Sequence, residues 1–147
     1  MVSAHDVAAY ILKKHAPMSA MKLQKLVYYS QAWSLVWDDR PLFKEKIEAW
    51  ANGPVVRELY EEHRGQFNIA RWPKGAAGNL DKDGAETVDA VLRYYGDKSA
   101  QWLSDLTHSE APWKDAREGL SDGVRGDREI TLDAMAEYYS SLKPGGR

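Results

Sequence analysis

The chain has 147 residues, of which 44% are hydrophobic and 29% are charged, and its formal net charge is −2 at pH 7; these values indicate a single folded domain. It contains no cysteine, which excludes disulfides and cysteine-based zinc sites, and we expect neither a metal nor a cofactor. The sequence has no signal peptide and no uncharged apolar run of about 18 residues, so we expect a cytoplasmic protein without membrane contact.

A capping box formed by Ser3 and Asp6 predicts the start of a first helix. Apolar residues then recur at helical spacing, and the helix covers about residues 4 to 14. It is predicted to end before Pro17.

The segment from Ala20 to Trp37 contains no Gly or Pro, and Ser19 can cap its first free amides, so it is predicted to be a helix. Apolar side chains extend nearly all the way around it, which predicts the buried centre of the fold. Lys22 and Lys25 share a face near its N-terminal end, where the helix dipole disfavours cations. We therefore expect them to pair with an acidic residue: Glu45, Glu48 or Glu58. The alternative is that these lysines reach an acidic partner.

A turn after this helix leads into an extended or irregular segment, Leu42 to Trp50, for which a short strand or hairpin arm is one interpretation. The following Asn52-Gly53-Pro54 predicts another turn, in which Gly53 can adopt a positive φ. Pro54 then suits the first position of a helix from Val55 to His63.

The longest irregular segment runs from Gly65 to Gly84. Phe67 and Trp72 lie in its first part, which is predicted to pack, whereas residues 74 to 78 are predicted to be mobile.

Four further helices are predicted from capping residues and helix stops. They are a helix capped by Asp83 and ended by Gly96, one capped by Ser99, one from Pro112 to Glu118, and one capped by Thr131. The fold class predicted is all-α: a single compact helical domain, residues 1–143, around the central apolar helix. A minor extended pair near Phe43 to Trp50 and a frayed tail, residues 144–147, complete the prediction.

The charge is unevenly distributed along the chain. Residues 1–80 carry 11 Lys and Arg against 8 Asp and Glu, a net +3, while residues 81–147 carry 9 against 14, a net −5. An acidic C-terminal half argues against direct DNA binding, because a nucleic-acid-binding surface needs clustered cations. It suits a basic protein partner, although an ordinary solvated surface accounts for the same counts.

Catalytic motifs are scarce in this sequence. The four histidines are scattered, and neither a zinc-binding helix motif nor a phosphate-binding or nucleophile-elbow motif is present. His108 is the best candidate for a base, since Asp105 or Glu110 could orient its imidazole. The alternative is that Thr107 caps a turn and His108 makes a structural hydrogen bond.

Three segments together resemble a known family. MKLQKLVYYSQAW, IEAWANGPVVRELYEEHRG and LSDLTHSEAPWKDAREG are similar to the diagnostic blocks of the Panacea domain, a family of phage and bacterial antitoxins that includes SocA-like and GepA-like proteins. The blocks occur in the family's order and spacing, and the resemblance covers roughly Asp6 to Tyr139. The matching motif positions are Lys22, Leu23, Gln24, Lys25, Leu26, Glu48, Ala49, Trp50, Gly53, Pro54, Val55, Thr107, His108, Pro112 and Trp113.

This resemblance implies a non-enzymatic antitoxin that neutralises a cognate toxin, encoded nearby, by direct complex formation. Relatives often carry an added DNA-binding domain, for which this chain has no room. Two other hypotheses stay open: an adaptor that contacts a cytosolic protease and delivers the toxin to it, and a hydrolase that uses His108.

The predicted toxin-binding surface combines charged and aromatic residues without an obvious role in the core. They are Lys22, Lys25, Trp50, Arg57, Phe67 and Trp72. The alternative surface is the acidic C-terminal half, with Asp105, Glu110 and Asp115.

Overall fold

A computed structural model describes residues 2–142, and within them it contains seven α-helices and five short strands. The helices are α1 (Ala4–His15), α2 (Ala20–Trp37), α3 (Arg57–His63), α4 (Lys82–Tyr95), α5 (Ala100–Ser109), α6 (Ala111–Ala116) and α7 (Leu132–Leu142). The strands are β1 (Met18–Ser19), β2 (Ile47–Trp50), β3 (Gly53–Val56), β4 (Asn68–Ile69) and β5 (Glu129–Ile130). The predicted frayed tail, residues 144–147, lies outside the described residues.

The fold is predominantly helical, but the all-α prediction understates its strands. β1 pairs with β4, and a separate antiparallel sheet has the order β3-β2-β5. Pro54 and Val55 were expected to open a helix, yet they lie in β3 opposite Ala49 and Glu48 of β2. Cross-strand pairing and two adjacent β-branched valines therefore outweigh the preference of proline for a helix start, and α3 begins only at Arg57.

Helix α2 begins and ends where the sequence predicts. The Ser19 hydroxyl accepts a hydrogen bond from the backbone N–H of Lys22 at 3.1 Å, which caps the helix. Leu23 and Leu26 are fully buried, and α2 contacts α1, α4, α5, α7 and β3. Polar residues of this helix are buried as well, so it cannot be described by hydrophobicity alone.

Two of these buried polar residues, Gln24 and Gln31, attach extended segments to α2. The side-chain amide of Gln24 accepts from the backbone N–H of Val56 at 2.8 Å and donates to its carbonyl at 3.2 Å. Gln31 lies seven residues later, and its amide accepts from Leu42 N–H at 2.7 Å and donates to Phe43 carbonyl at 2.8 Å. Each glutamine side chain thus hydrogen-bonds a backbone N–H and a backbone carbonyl of the attached segment, as a neighbouring strand would.

A buried carboxylate joins the C-terminal helices to α2. The hydroxyls of Tyr29 and Tyr139 donate to Glu110 Oε1 at 2.7 and 2.6 Å, and the Tyr28 and Tyr139 hydroxyls lie 2.9 Å apart. Burial raises the pKa of the Glu110 carboxyl above its usual value. Glu110 is only 5% exposed. The prediction that it contributes to an acidic docking surface is therefore wrong.

The other capping predictions are confirmed, with one correction. The capping box of Ser3 and Asp6 is present. Asp81, rather than Asp83, caps α4, because its carboxylate accepts from Gly84 N–H at 2.7 Å. The segment predicted to be mobile is attached to α1, since Ala76 N–H donates to the Asp6 carboxylate at 2.7 Å.

Candidate functional site

A cleft of about 760 Å³ opens between α2, the β2–β3 hairpin, α3 and the loop before β5. Its size suits a side chain or short segment of a ligand rather than a single ion. The lining residues are Met21, Gln24, Lys25, Trp50, Ala51, Asn52, Val55, Arg57, Tyr60, His63, Arg64, Arg125, Gly126 and Asp127.

Lys25 lines this cleft from α2 and is only 1% exposed. Within residues 2–142, no hydrogen bond or ion pair to its ammonium is found, so the predicted pairing of Lys25 with Glu45, Glu48 or Glu58 is wrong. Burial lowers the pKa of Lys25 to about 8. The side chain therefore places an unneutralised positive charge beside the cleft at neutral pH.

Gly53 allows the Lys25 side chain to reach this position. Its φ is 124°, as the turn prediction requires, and a Cβ at this position would collide with Lys25 Cε and lie 3.1 Å from Nζ. The same turn that needs glycine for its backbone thus also needs it to make room for the lysine.

Glu48 binds Arg57 instead of a lysine. Its carboxylate accepts from Arg57 Nε at 3.1 Å, from Arg57 Nη2 at 2.8 Å and from Trp50 Nε1 at 2.8 Å. The Arg57 guanidinium lies 5.5 Å from the Trp50 ring centroid, and Tyr60 packs edge-on against the same ring at 4.8 Å. These contacts fix the orientation of the Trp50 and Tyr60 rings, which form an aromatic wall on one side of the cleft.

His63 forms part of the cleft next to Gln24, and the hydrogen-bond network determines its tautomer. Gln24 Nε2 lies 3.0 Å from His63 Nε2, and because this amide nitrogen donates, the imidazole nitrogen accepts. Burial, together with the nearby charge of Lys25, lowers the pKa of His63. The imidazole is therefore neutral at pH 7.

The cleft as a whole is electropositive. Besides Lys25 it is lined by Arg57, Arg64 and Arg125, against a single lining carboxylate, Asp127. Arg57 is neutralised by Glu48, while Arg64 and Arg125 are exposed near the entrance. Such an arrangement attracts anionic groups and draws them toward the lysine.

Only part of the predicted binding surface comes together here. Lys25, Trp50 and Arg57 line the cleft, whereas the ammonium of Lys22 donates to the Gly96 carbonyl at 2.6 Å. Trp72 is buried, with its indole N–H donating to His5 Nδ1 at 3.0 Å. Phe67 is 80% exposed but does not line the cleft.

The third block of the motif supports the hairpin from outside the cleft. Trp113 Nε1 donates to the Trp50 carbonyl at 2.8 Å, and the Ser104 hydroxyl donates to the Asn52 carbonyl at 2.9 Å. The buried guanidinium of Arg117 donates to the Ala49 carbonyl at 3.0 Å and to carbonyls of the following loop. All three motif segments therefore contribute to building one feature, the cleft.

His108 lacks the surroundings expected of a catalytic base. Its ring stacks on Trp113 at 4.1 Å, and burial lowers its pKa. Asp105 instead accepts from Gln101 at 2.9 Å, and Glu110 binds tyrosines, so neither carboxylate orients the imidazole. The alternative prediction was a structural hydrogen bond of His108. Its Nε2 atom is buried and has no hydrogen-bond partner in the described part of the chain.

The predicted binding surface did not include Gln24, although it is a motif position, and it did not include His63. The available signal was the spacing of Gln24 and Gln31, seven residues apart on one face of an otherwise apolar helix. Polar side chains at such positions must find buried partners, and extended segments supply them. His63 gave no comparable signal, because its contact with Gln24 spans 39 residues.

None of the helices within residues 2–142 has the length and hydrophobicity needed to cross a bilayer. In the same part of the chain, no three His, Asp or Glu side chains gather where they could hold a metal ion.

Comparisons with known proteins agree with the motif geometry. Residues 23–114 match the family model described as antitoxin SocA-like, Panacea domain. The chain is 33% identical over 129 residues to Antitoxin SocA of Caulobacter vibrioides (strain NA1000 / CB15N), an alignment that covers 76% of this chain and 69% of that protein. No solved structure matches this chain. The chain therefore belongs to the SocA-like antitoxin family that is defined by the Panacea domain.

Proposed function

We propose that this protein is a cytoplasmic, non-enzymatic antitoxin that neutralises the toxin encoded beside it by forming a direct complex. Residues 1–143 would form the binding domain, with α2 as its central helix. The observation that carries the proposal is that the family's motif segments build an electropositive, aromatic-walled cleft around a buried lysine. Membership of an antitoxin family supports a toxin as the proposed occupant.

Trp50 and Arg57 are the best residues for testing this surface. They form one wall of the cleft, and Arg57 is exposed, so its replacement leaves the core intact. Large aromatic and arginine side chains of this kind dominate binding energy at protein interfaces. Trp72, although predicted for the same surface, is better avoided, because replacing a buried tryptophan would destabilise the fold.

The experiment co-expresses the protein with its neighbouring gene product and measures growth rescue, co-purification and affinity. Trp50→Ala and Arg57→Ala, once shown by circular dichroism to be folded, should each weaken binding about thirtyfold. The matched control is Trp102→Ala, since Trp102 is a 45% exposed tryptophan in α5 that does not line the cleft. Unchanged binding by both cleft variants would show that this surface is wrong and favour the acidic residues Asp105 and Asp115.

The adaptor hypothesis is distinguished by repeating the rescue in a host that lacks its cytosolic ATP-dependent proteases. Direct neutralisation predicts unchanged protection and a constant toxin level. Loss of protection together with accumulation of free toxin would identify delivery to a protease instead.

A further inference from the structure

Lys25 has a charge that the described part of the protein does not neutralise. The acids considered for this charge have other partners: Glu48 binds Arg57 and Trp50, and Glu110 binds two tyrosines. Asp127, the carboxylate that lines the cleft, lies 4.0 Å from the Arg57 guanidinium. Burying an unpaired ammonium away from water costs free energy. The charged Lys25 therefore destabilises the folded protein when the cleft is empty. A ligand that brings a negative charge into the cleft would remove this cost.

The surroundings of Lys25 restrict the chemistry of such a ligand. One compact ammonium with neutral neighbours, Gln24 and His63, provides a single buried positive charge. That suits a monoanionic carboxylate, whereas a phosphate group needs several charges or a cradle of backbone N–H groups. The aromatic wall of Trp50 and Tyr60 offers an apolar surface for the methylene groups that precede a carboxylate.

We infer that the cleft accepts an acidic side chain of the toxin, whose carboxylate pairs with Lys25. This inference rests on the proposed antitoxin function and specifies the chemistry of the same site. The exposed Arg64 and Arg125 at the entrance attract the acidic segment, and Lys25 selects the residue that enters. The cleft is large enough to admit that residue with its neighbours.

The test compares Lys25→Met with Lys22→Met. Both residues lie on α2, three positions apart, but only Lys25 lines the cleft, while Lys22 binds a backbone carbonyl. We expect Lys25→Met to weaken toxin binding at least thirtyfold and Lys22→Met to change it less than about threefold. Surface Asp and Glu residues of the toxin are then changed singly to Asn and Gln. One of these changes should weaken binding to the wild type but not to Lys25→Met, and the absence of any such coupling would overturn the inference.

A second measurement uses the wild-type protein alone and remains valid if Lys25→Met does not fold. Lysine ¹³Cε chemical shifts are followed during titration with N-acetyl-glutamic acid α-amide, with N-acetyl-glutamine α-amide as the neutral control. The acid should raise the pKa of Lys25 and the amide should not; equal responses would contradict carboxylate recognition.

The two arms separate failure of this inference from failure of the proposed function. If the capped glutamate acts on Lys25 but the toxin does not bind, the carboxylate site stands and the antitoxin proposal fails. If the toxin binds but no acidic residue of it couples to Lys25, the antitoxin proposal stands and the carboxylate inference fails. A free dicarboxylate such as succinate that binds at micromolar concentration and does not compete with the toxin would also overturn the inference.

Discussion

Replacing Lys25 with Met should stabilise the free protein, because it removes a buried charge and leaves a side chain of similar length. The pKa of Lys25 falls from 10.5 to about 8 in the folded protein. At about 1.4 kcal/mol per pKa unit, this difference corresponds to roughly 3 kcal/mol against the charged form at neutral pH. We therefore expect Lys25→Met to raise the free energy of unfolding at pH 7 by about 2 to 4 kcal/mol.

The pH dependence of this gain follows from the same two pKa values. Since the pKa is lower in the folded state, the unfolded chain retains the proton more strongly between about pH 8 and 10.5. The stability contribution of Lys25 in the wild type therefore rises over this interval, and the advantage of Lys25→Met shrinks as the pH increases.

Urea unfolding followed by tryptophan fluorescence at pH 7 and 9.5 measures both effects, with Lys22→Met as the control. A Lys25→Met variant that is less stable than the wild type by more than about 1 kcal/mol, by the same amount at both pH values, would refute the reasoning. It would mean that the ammonium is well solvated or paired in the folded protein.

Three further outcomes are expected from unfolding experiments. Leu26→Ala should lower the free energy of unfolding by about 2 to 5 kcal/mol, because Leu26 is fully buried, and a loss below about 0.5 kcal/mol would contradict that placement. Gly53→Val should cost more than about 1 kcal/mol, since it meets both an unfavourable φ and the Lys25 side chain; pairing it with Lys25→Ala should recover part of the loss. Glu110 has a raised pKa in the folded state, so wild-type stability should fall as the pH rises above 4.5, and Glu110→Gln should remove this dependence in melting curves between pH 4.5 and 7. An unchanged pH profile in that variant would assign the dependence to other carboxylates.

Local signals predicted the helices well because each signal acts within a few residues. Ser19 and Ser99 both cap helices as expected, through bonds to N–H groups three residues ahead. The strand β3 could not be predicted in this way, because Pro54 has a local preference that pairing with β2 outweighs. Its conformation is decided by contacts with another segment of the chain.

The candidate site was predicted only in part, because its residues come from one motif but their partners lie far away in the sequence. The motif placed Lys25 and Trp50 in one region, and the structure places both in the cleft. The predicted partner of Lys25 was wrong because Glu48 was free to bind either cation, and the hairpin brings Arg57 closer to it. Trp72 lies on a loop, which suggested exposure, but its indole finds His5 some 67 residues away.

The bond between Gln24 and Val56 also limits how a partner can bind. Both backbone groups of Val56 bond to Gln24, so they point away from β2, along the outer edge of the sheet. Pro54, two residues earlier, faces the same edge and has no N–H to donate. An incoming strand would find no free donor at these positions, which closes β3 to β-augmentation and to edge-to-edge aggregation. A partner that contacts this edge must therefore be recognised through groups other than the backbone of Val56 and the nitrogen of Pro54.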